Sequence, residues 1–387
     1  MKRNEIPVKP GFFLTYPMRF NMFRILIPLI LLCFLTGCET RTSNARLDAT
    51  ETAMKASKFL KITPKESGAL VEITHPDTQK VARFFLRKRG QKTQFNGFKT
   101  IDVPVKRMIV LSSPYIGMLG KLNATDKIAA TTSKRYIYNK QVLAGIKAGK
   151  IRELQDELNA STEVILGCKA DVLMFSAFST EFPKQALIER VGTACIPCYD
   201  WRETSPLGKA EWIKLFGYLV GKEQQASSYF DLIQTSYSAL KKLVSKKQEA
   251  LRVFCGNLIG DAWYSPAGSS FFACQIKDAG GNYAFAHTSG TGSHSATFEH
   301  ILSTQRGADI WLDPGISDLA ILLRNQPKMK YFSCIKNKEV YCYSHQTNKY
   351  WELSAIEPHH VLSDLIHILS GKGKEEKEMY FYRNIAR

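Results

Sequence analysis

The 387-residue sequence lacks the short motifs that would mark a hydrolase, a zinc protease or a nucleotide-binding enzyme. There is no G-x-S-x-G nucleophile elbow, no H-E-x-x-H and no G-x-x-x-x-G-K-[ST]. The Gly/Ser-rich stretch 289–295 (SGTGSHS) has neither the lysine nor the spacing of a phosphate-binding loop. Zinc-finger spacing, an RNP-like motif and a dense Lys/Arg stripe interleaved with aromatics are absent too, which argues against a nucleic-acid partner. No second C-x-x-C accompanies Cys195-Ile-Pro-Cys198. Set in the apolar run 194–199, these thiols are expected to be small buried side chains of a strand rather than half of a metal site. Acidic residues are scarce beside basic ones, 35 against 53, for a formal charge of +18. That imbalance favours an acidic small ligand or a membrane surface as partner.

The apolar run at 25–35 falls short of the roughly 20 residues a comfortable transmembrane span needs. Arg19 and Arg24 precede it and Leu35-Thr36-Gly37-Cys38 follows. A basic region, a short apolar core and small residues make a secretory signal. The L-T-G-C end resembles a bacterial lipobox, in which cleavage precedes the cysteine and the cysteine is lipidated. Residues 1–37 are then the signal segment and Cys38 the lipidated first residue. Residues 38–65, polar and rich in Thr, Ser and Lys, are expected to be a tether. The body is expected in the periplasm or at the cell surface, anchored to a membrane.

Residues 222–247 read KEQQASSYFDLIQTSYSALKKLVSKK, with no Gly or Pro between Gly221 and Gly256. Ala226, Tyr229, Phe230, Ile233, Tyr237, Leu240 and Val244 fall on one stripe of an α-helix. Such a helix would be roughly 39 Å long. An ordinary surface helix inside one domain would show the same periodicity. Strand-like runs lie on both sides: 69–73, 81–86, 108–111, 128–132, 170–175 and 195–199 before it, and 251–255, 308–312 and 339–343 after it. Their alternation with helical stretches, the last at 357–369, argues for parallel α/β sheets. The expected fold is α/β, with two Rossmann-like lobes (66–221 and 249–371) bridged by a single long helix (222–248), and a tail (372–387). Ligands of such sheets bind off the carboxyl ends of the strands. Those ends carry Tyr115, Lys134, Arg135, Tyr136, Phe178, Trp201 and Arg202. Aromatic and cationic side chains suit a flat or ring-bearing anion, although each residue taken singly is equally suited to a solvent-facing loop.

Several stretches, taken in order, resemble one family. They are VPVKRMIVL (103–111), LNASTEVILGCKAD (158–171), SPLGKAEWI (205–213), WYSPAG (263–268), DAGGNY (278–283), 297–312 and 351–365. Together, behind a lipobox, they resemble the periplasmic substrate-binding proteins of ABC transporters for cobalamin, ferric siderophores and haem. The resemblance implies two lobes joined by one long helix that close only slightly. It implies a monomeric binding protein and no enzyme. Its solute would be an iron chelate, haem or a corrinoid, passed to an ABC permease with its ATPase. One glutamate on each lobe docks to the permease in this family, and Glu163 and Glu299 occupy those places. The family's K-P-D strand start is Lys169-Ala170-Asp171 here. Strand ends and family position together nominate Arg135, Tyr136, Trp201, Arg202, Trp263, Tyr264 and Trp351 as ligand contacts. The cations rank an anionic ferric siderophore first. Haem would call on Tyr136 or His345 as axial ligand, and cobalamin on the aromatics. No resident cofactor or metal is expected. The alternative is a metal-binding enzyme or chaperone on the same scaffold, using His287, His294 and His300, or His359 and His360, although these lack regular ligand spacing.

Overall fold

The computed structural model describes residues 54–154, 160–177, 182–244, 250–374 and 379–386. The signal segment, Cys38 and Phe178 lie outside the described residues.

The body opens with a four-stranded sheet in the order β1-β2-β3-β4, formed by β1 (Leu60–Lys65), β2 (Gly68–Thr74), β3 (Val81–Lys88) and β4 (Lys99–Val103). β2 and β3 form the antiparallel hairpin expected around residues 75–78. Its turn is held by the His75 ring, whose Nδ1 accepts the N–H groups of Asp77 and Thr78 at 3.1 and 3.2 Å. Residues 60–65, expected in the tether, instead pair with β2. Leu60 and Ile62 point inward while Lys61 points out. The lysines and proline of LKITPK hide a period-2 pattern that is there. Just upstream, Glu211 accepts the N–H groups of Lys55, Ala56 and Ser57 at 2.7, 2.7 and 2.9 Å. Glu203 accepts those of Lys58 and Phe59. Both carboxylates are buried, and donors of this kind are what a buried charge requires.

The first lobe holds β5 (Met108–Val110), β6 (Ile128–Thr131), β7 (Arg152–Glu153), β8 (Val172–Phe175) and β9 (Ala194–Pro197) in the order β7-β6-β5-β8-β9, all parallel. β5, β6 and β8 are buried at every residue, the signature of a parallel sheet covered on both faces. The second lobe contributes β10 (Arg252–Cys255), β11 (Asn257–Ile259), β12 (Ala262–Pro266), β13 (Asn282–Tyr283), β14 (Ser293–Thr297), β15 (Ile310–Leu312), β16 (Val340–Cys342) and β17 (Arg383–Asn384). Its main sheet runs β13-β10-β15-β16-β17, parallel except for β17, and β11, β12 and β14 form a small antiparallel sheet. The lobes repeat one pattern: β5 lies between β6 and β8 as β10 lies between β13 and β15.

The bridging helix runs Glu223–Leu243, about 32 Å at 1.5 Å per residue. Gly221, at φ +71°, closes the preceding helix Ile213–Val220 in a left-handed cap. Ala226, Phe230 and Ile233 belong to the first lobe's core. Tyr237 belongs to the second lobe's core and Leu240 packs on it. One stripe is thus divided between two cores.

The lobes also meet along a seam. Glu352, on the helix Thr347–Leu353 of the second lobe, accepts the N–H groups of Tyr138 and Asn139 of the first at 2.8 and 3.0 Å. Gly117, on the first-lobe helix Ser113–Lys121, is required at this seam, because a Cβ there would stand 2.1 Å from the Glu352 carbonyl oxygen. Lys121 pairs with Glu357 beside it. The tail docks on the second lobe. Asp364 accepts the N–H groups of Tyr380, Phe381 and Tyr382, and β17 pairs with β16. No described helix is long and apolar enough to cross a membrane.

Candidate functional site

The first lobe's strand ends carry its candidate contacts on tight turns. After β6, residues 134–136 form one 3-10 turn, with Arg135 exposed and its guanidinium 4.6 Å from the Tyr136 ring centroid. Tyr136 is 40% exposed. Lys134 is paired with Glu153, whose carboxylate also accepts the Lys134 N–H. After β9, a second 3-10 turn spans Asp200–Arg202. The Trp201 indole N–H donates to the Ser176 carbonyl at 2.6 Å, which fixes the ring beside the end of β8. Arg202 donates to both carboxylate oxygens of Asp77, at 3.0 and 2.7 Å, and through Nε to the Thr291 hydroxyl at 3.0 Å. Its guanidinium also sits 5.3 Å from the Trp201 ring centroid. Tyr115 is not a surface residue. It is buried, and its hydroxyl donates to Asp200.

From the second lobe, Trp351 is 47% exposed on the helix that Glu352 ties to residues 138–139. Asn348 of the same helix reaches the Ile137 carbonyl. Arg135, Tyr136 and Trp351 therefore stand on neighbouring segments across the seam. Tyr264 is 39% exposed on β12. Trp263 requires a correction, since it is 0% exposed. β12 alternates, so its odd positions face in and Tyr264 faces out. The Trp263 ring stacks with Phe254 and packs against Trp311, and its indole N–H donates to the Cys255 carbonyl. It is a core side chain and offers no surface to a ligand in this conformation.

The two glutamates occupy equivalent places. Glu163 lies in the first turn of the helix Thr162–Gly167 that precedes β8. Glu299 lies in the first turn of Phe298–Gln305, which precedes β15. Both are exposed. Each helix is capped by the residue two before the glutamate: Ser161 accepts the Val164 N–H, and Thr297 accepts that of His300. Hydrogen bonds from its own N–H and from Ser161 hold the Glu163 carboxyl below its ordinary range. Glu299 borders a cavity of about 380 Å³ with Leu258, Phe298, Lys328 and Met329.

A family model described as periplasmic binding protein matches residues 108–347, most of the described body. The chain belongs to the periplasmic binding protein family. An uncharacterised lipoprotein of Methanocaldococcus jannaschii is 25% identical over 297 residues, covering 74% of this chain and 70% of the relative. Among solved structures, the periplasmic vitamin B12 binding protein BtuF of Vibrio cholerae shares the fold at a TM-score of 0.53 and 16% identity, over 70% of this chain and 99% of that one. The triscatecholate siderophore binding protein FeuA of Bacillus subtilis does so at 0.53 and 17%, over 70% and 94%. These identities speak to the fold: two α/β lobes.

In this periplasmic binding protein the second lobe's strand ends hold a group that no sequence motif marked. Asp313 follows β15 at φ +59°, a left-handed conformation that Asp tolerates better than most residues. Its Oδ2 accepts from the Tyr382 hydroxyl at 2.9 Å and the Cys255 thiol at 3.8 Å. Its Oδ1 is shielded from solvent without a hydrogen-bond partner. Burial raises the carboxyl to about 8. Tyr343 and Tyr350 stack at 3.7 Å, and Tyr382 meets both edge-on. Trp351 stands edge-on to Tyr343 and Tyr350, at the exposed rim of the cluster. The signal was the turn Asp313-Pro314-Gly315 directly after an apolar strand, the kind of strand end that carries Trp201 and Arg202 in the first lobe. Among the described residues no three His, Cys, Asp or Glu side chains group as metal ligands. The seven described cysteines, Cys195 and Cys198 among them, are free thiols.

Proposed function

We propose that this periplasmic binding protein is an extracytoplasmic lipoprotein, anchored through Cys38. It captures a ring-bearing anionic solute between its lobes and delivers it to an ABC permease. An iron chelate (ferric siderophore or haem) fits the charge of the strand ends best, and a corrinoid is the uncharged variant of the same reading. The observation that carries the proposal is the matched pair of exposed glutamates, one per lobe and each in the helix before the equivalent strand. Two carboxylates fixed on lobes bridged by one stiff helix suit a permease of two-fold symmetry, each meeting a cation of one half. The ligand would lie against Arg135, Tyr136, Trp201 and Arg202 on one side and Trp351 and Tyr264 on the other.

The test is titration of the purified protein with a ferric triscatecholate, haem and cyanocobalamin, read by tryptophan fluorescence. Trp201 and Trp351 are the reporters, since Trp263 is sealed in the core. Saturable quenching by one of the three is expected. Folded protein that responds to none of them would remove the iron and corrinoid assignment.

A further inference from the structure

The Arg202 guanidinium is already engaged. Asp77 grips it with two parallel hydrogen bonds, the fork-to-fork geometry that a ligand carboxylate or catecholate would adopt on the same arginine. Asp77 comes from the tip of the β2–β3 hairpin, outside both lobes' parallel sheets. That tip is seated against the first lobe by a second contact, the His75 ring lying 5.1 Å from that of Tyr199. Thr291, on the third side of the guanidinium, belongs to the second lobe's Gly/Ser-rich stretch. One cation thus joins the hairpin and both lobes at the edge where solutes of such sheets bind.

We propose that Asp77 is an internal stand-in for the anionic group of the ligand, occupying Arg202 until a solute bearing carboxylate or catecholate oxygens displaces it. The inference rests on the reading of Arg202 as a ligand contact and names the group that it selects. The Asp77 side chain is 61% exposed and that of Arg202 24%, so a solute can reach the pair. A pair at this exposure is weak enough to be exchanged. The hydrogen bond from Arg202 keeps the Asp77 carboxyl below its ordinary range, so the stand-in is charged at neutral pH. The incoming group must then match both the charge and the two-oxygen spacing of a carboxylate. Solutes lacking such a group gain nothing from Arg202. In this way the hairpin sorts ligands by charge.

The experiment compares full-length wild type, Asp77→Asn, Arg202→Gln and the double variant. Each is titrated with ferri-bacillibactin, haem and cyanocobalamin. Freeing an arginine from a partly exposed pair should tighten binding of an anionic ligand roughly three- to tenfold. Cyanocobalamin, with no net charge, should not respond. The gain should vanish in the double variant. Thermal melts establish that Asp77→Asn is folded, and Asp77→Ser serves if the asparagine loosens the hairpin. Unchanged or weaker binding of both anionic ligands by the folded Asp77 variants overturns the proposal. Binding of cyanocobalamin alone, equal in all four proteins, also overturns it while leaving the transport reading intact. Absence of binding in every protein removes both.

Discussion

The first lobe ends its strands in Arg135, Trp201 and Arg202, on short turns that hold cations at or near the surface. The second ends its strands in Asp313 and Tyr343, both half-buried against the aromatic rings of Tyr350 and Tyr382, with one Asp313 carboxylate oxygen unpaired. Two sheets that share only the placing of their first strand between two later ones therefore finish in unlike chemistry. On the proposed reading the two edges divide the work of recognition. An open cationic edge can discriminate solutes by charge, while a closed aromatic edge offers shape and a firm wall. In one respect the lobes do not differ: Glu163 and Glu299 each lie in the first turn of the helix before the equivalent strand.

That likeness is the easiest part of the comparison to break. Replacing Glu163 and Glu299 together with Ala should cut uptake of the cognate solute at least about tenfold, with its dissociation constant unchanged. Each single variant should lose a similar part. Uptake at the wild-type level in the double variant would end the docking assignment. A milder effect should come from the shared helix. Phe230→Ala opens a hole in the first core and Tyr237→Ala one in the second. Each should cost about 3–5 kcal/mol in chemical denaturation. If the helix couples the lobes, either change should shift one common transition, and two separated transitions would show that the lobes unfold independently.

A pH-dependent effect separates the two edges. Folding raises the Asp313 carboxyl from its ordinary value of 3.8 to about 8. The folded state keeps a proton that the unfolded chain releases. This group's contribution to stability is therefore fully present below about pH 4 and is lost as pH rises to about 8. The slope is at most about 1.4 kcal/mol per pH unit. Asp313→Asn should flatten the fall between pH 5 and 8, and the same slope in variant and wild type would show that the carboxyl does not titrate there.

Much of the scaffold was legible because apolar runs report parallel strands directly. Met108–Val110, Val172–Phe175 and Ile310–Leu312 all lie within the expected runs. The helix was legible by its stripe, though it ends at Leu243 rather than near 248. The candidate site was harder to read. Trp263 looked like a contact because tryptophan is conspicuous, but strand alternation turned it inward. β14 is hard to read from sequence because Ser293–Thr297 (SHSAT) carries a single branched residue, at its last position. It is an edge strand held by backbone pairing with β12. Asp77 and Arg202 stand 125 positions apart, and Asp313 and Tyr382 stand 69 apart. Local pattern carries no information about pairs that only the packing of the sheets brings together.

The clamp at residues 55–59 has a consequence for how the sequence there can drift. Glu203 and Glu211 take hold of five successive backbone N–H groups. They read the main chain, and the one side chain of the segment they also engage is that of Ser57, whose hydroxyl donates to Glu203. The exposed Lys58 side chain is therefore nearly free to vary in related proteins, whereas Lys55 pairs with Asp231 and Ala56 packs on the first core. Proline is the exception, since it brings no N–H to the grip. Conservation in this stretch should be visible on the two receiving glutamates and on Ser57, and least on Lys58.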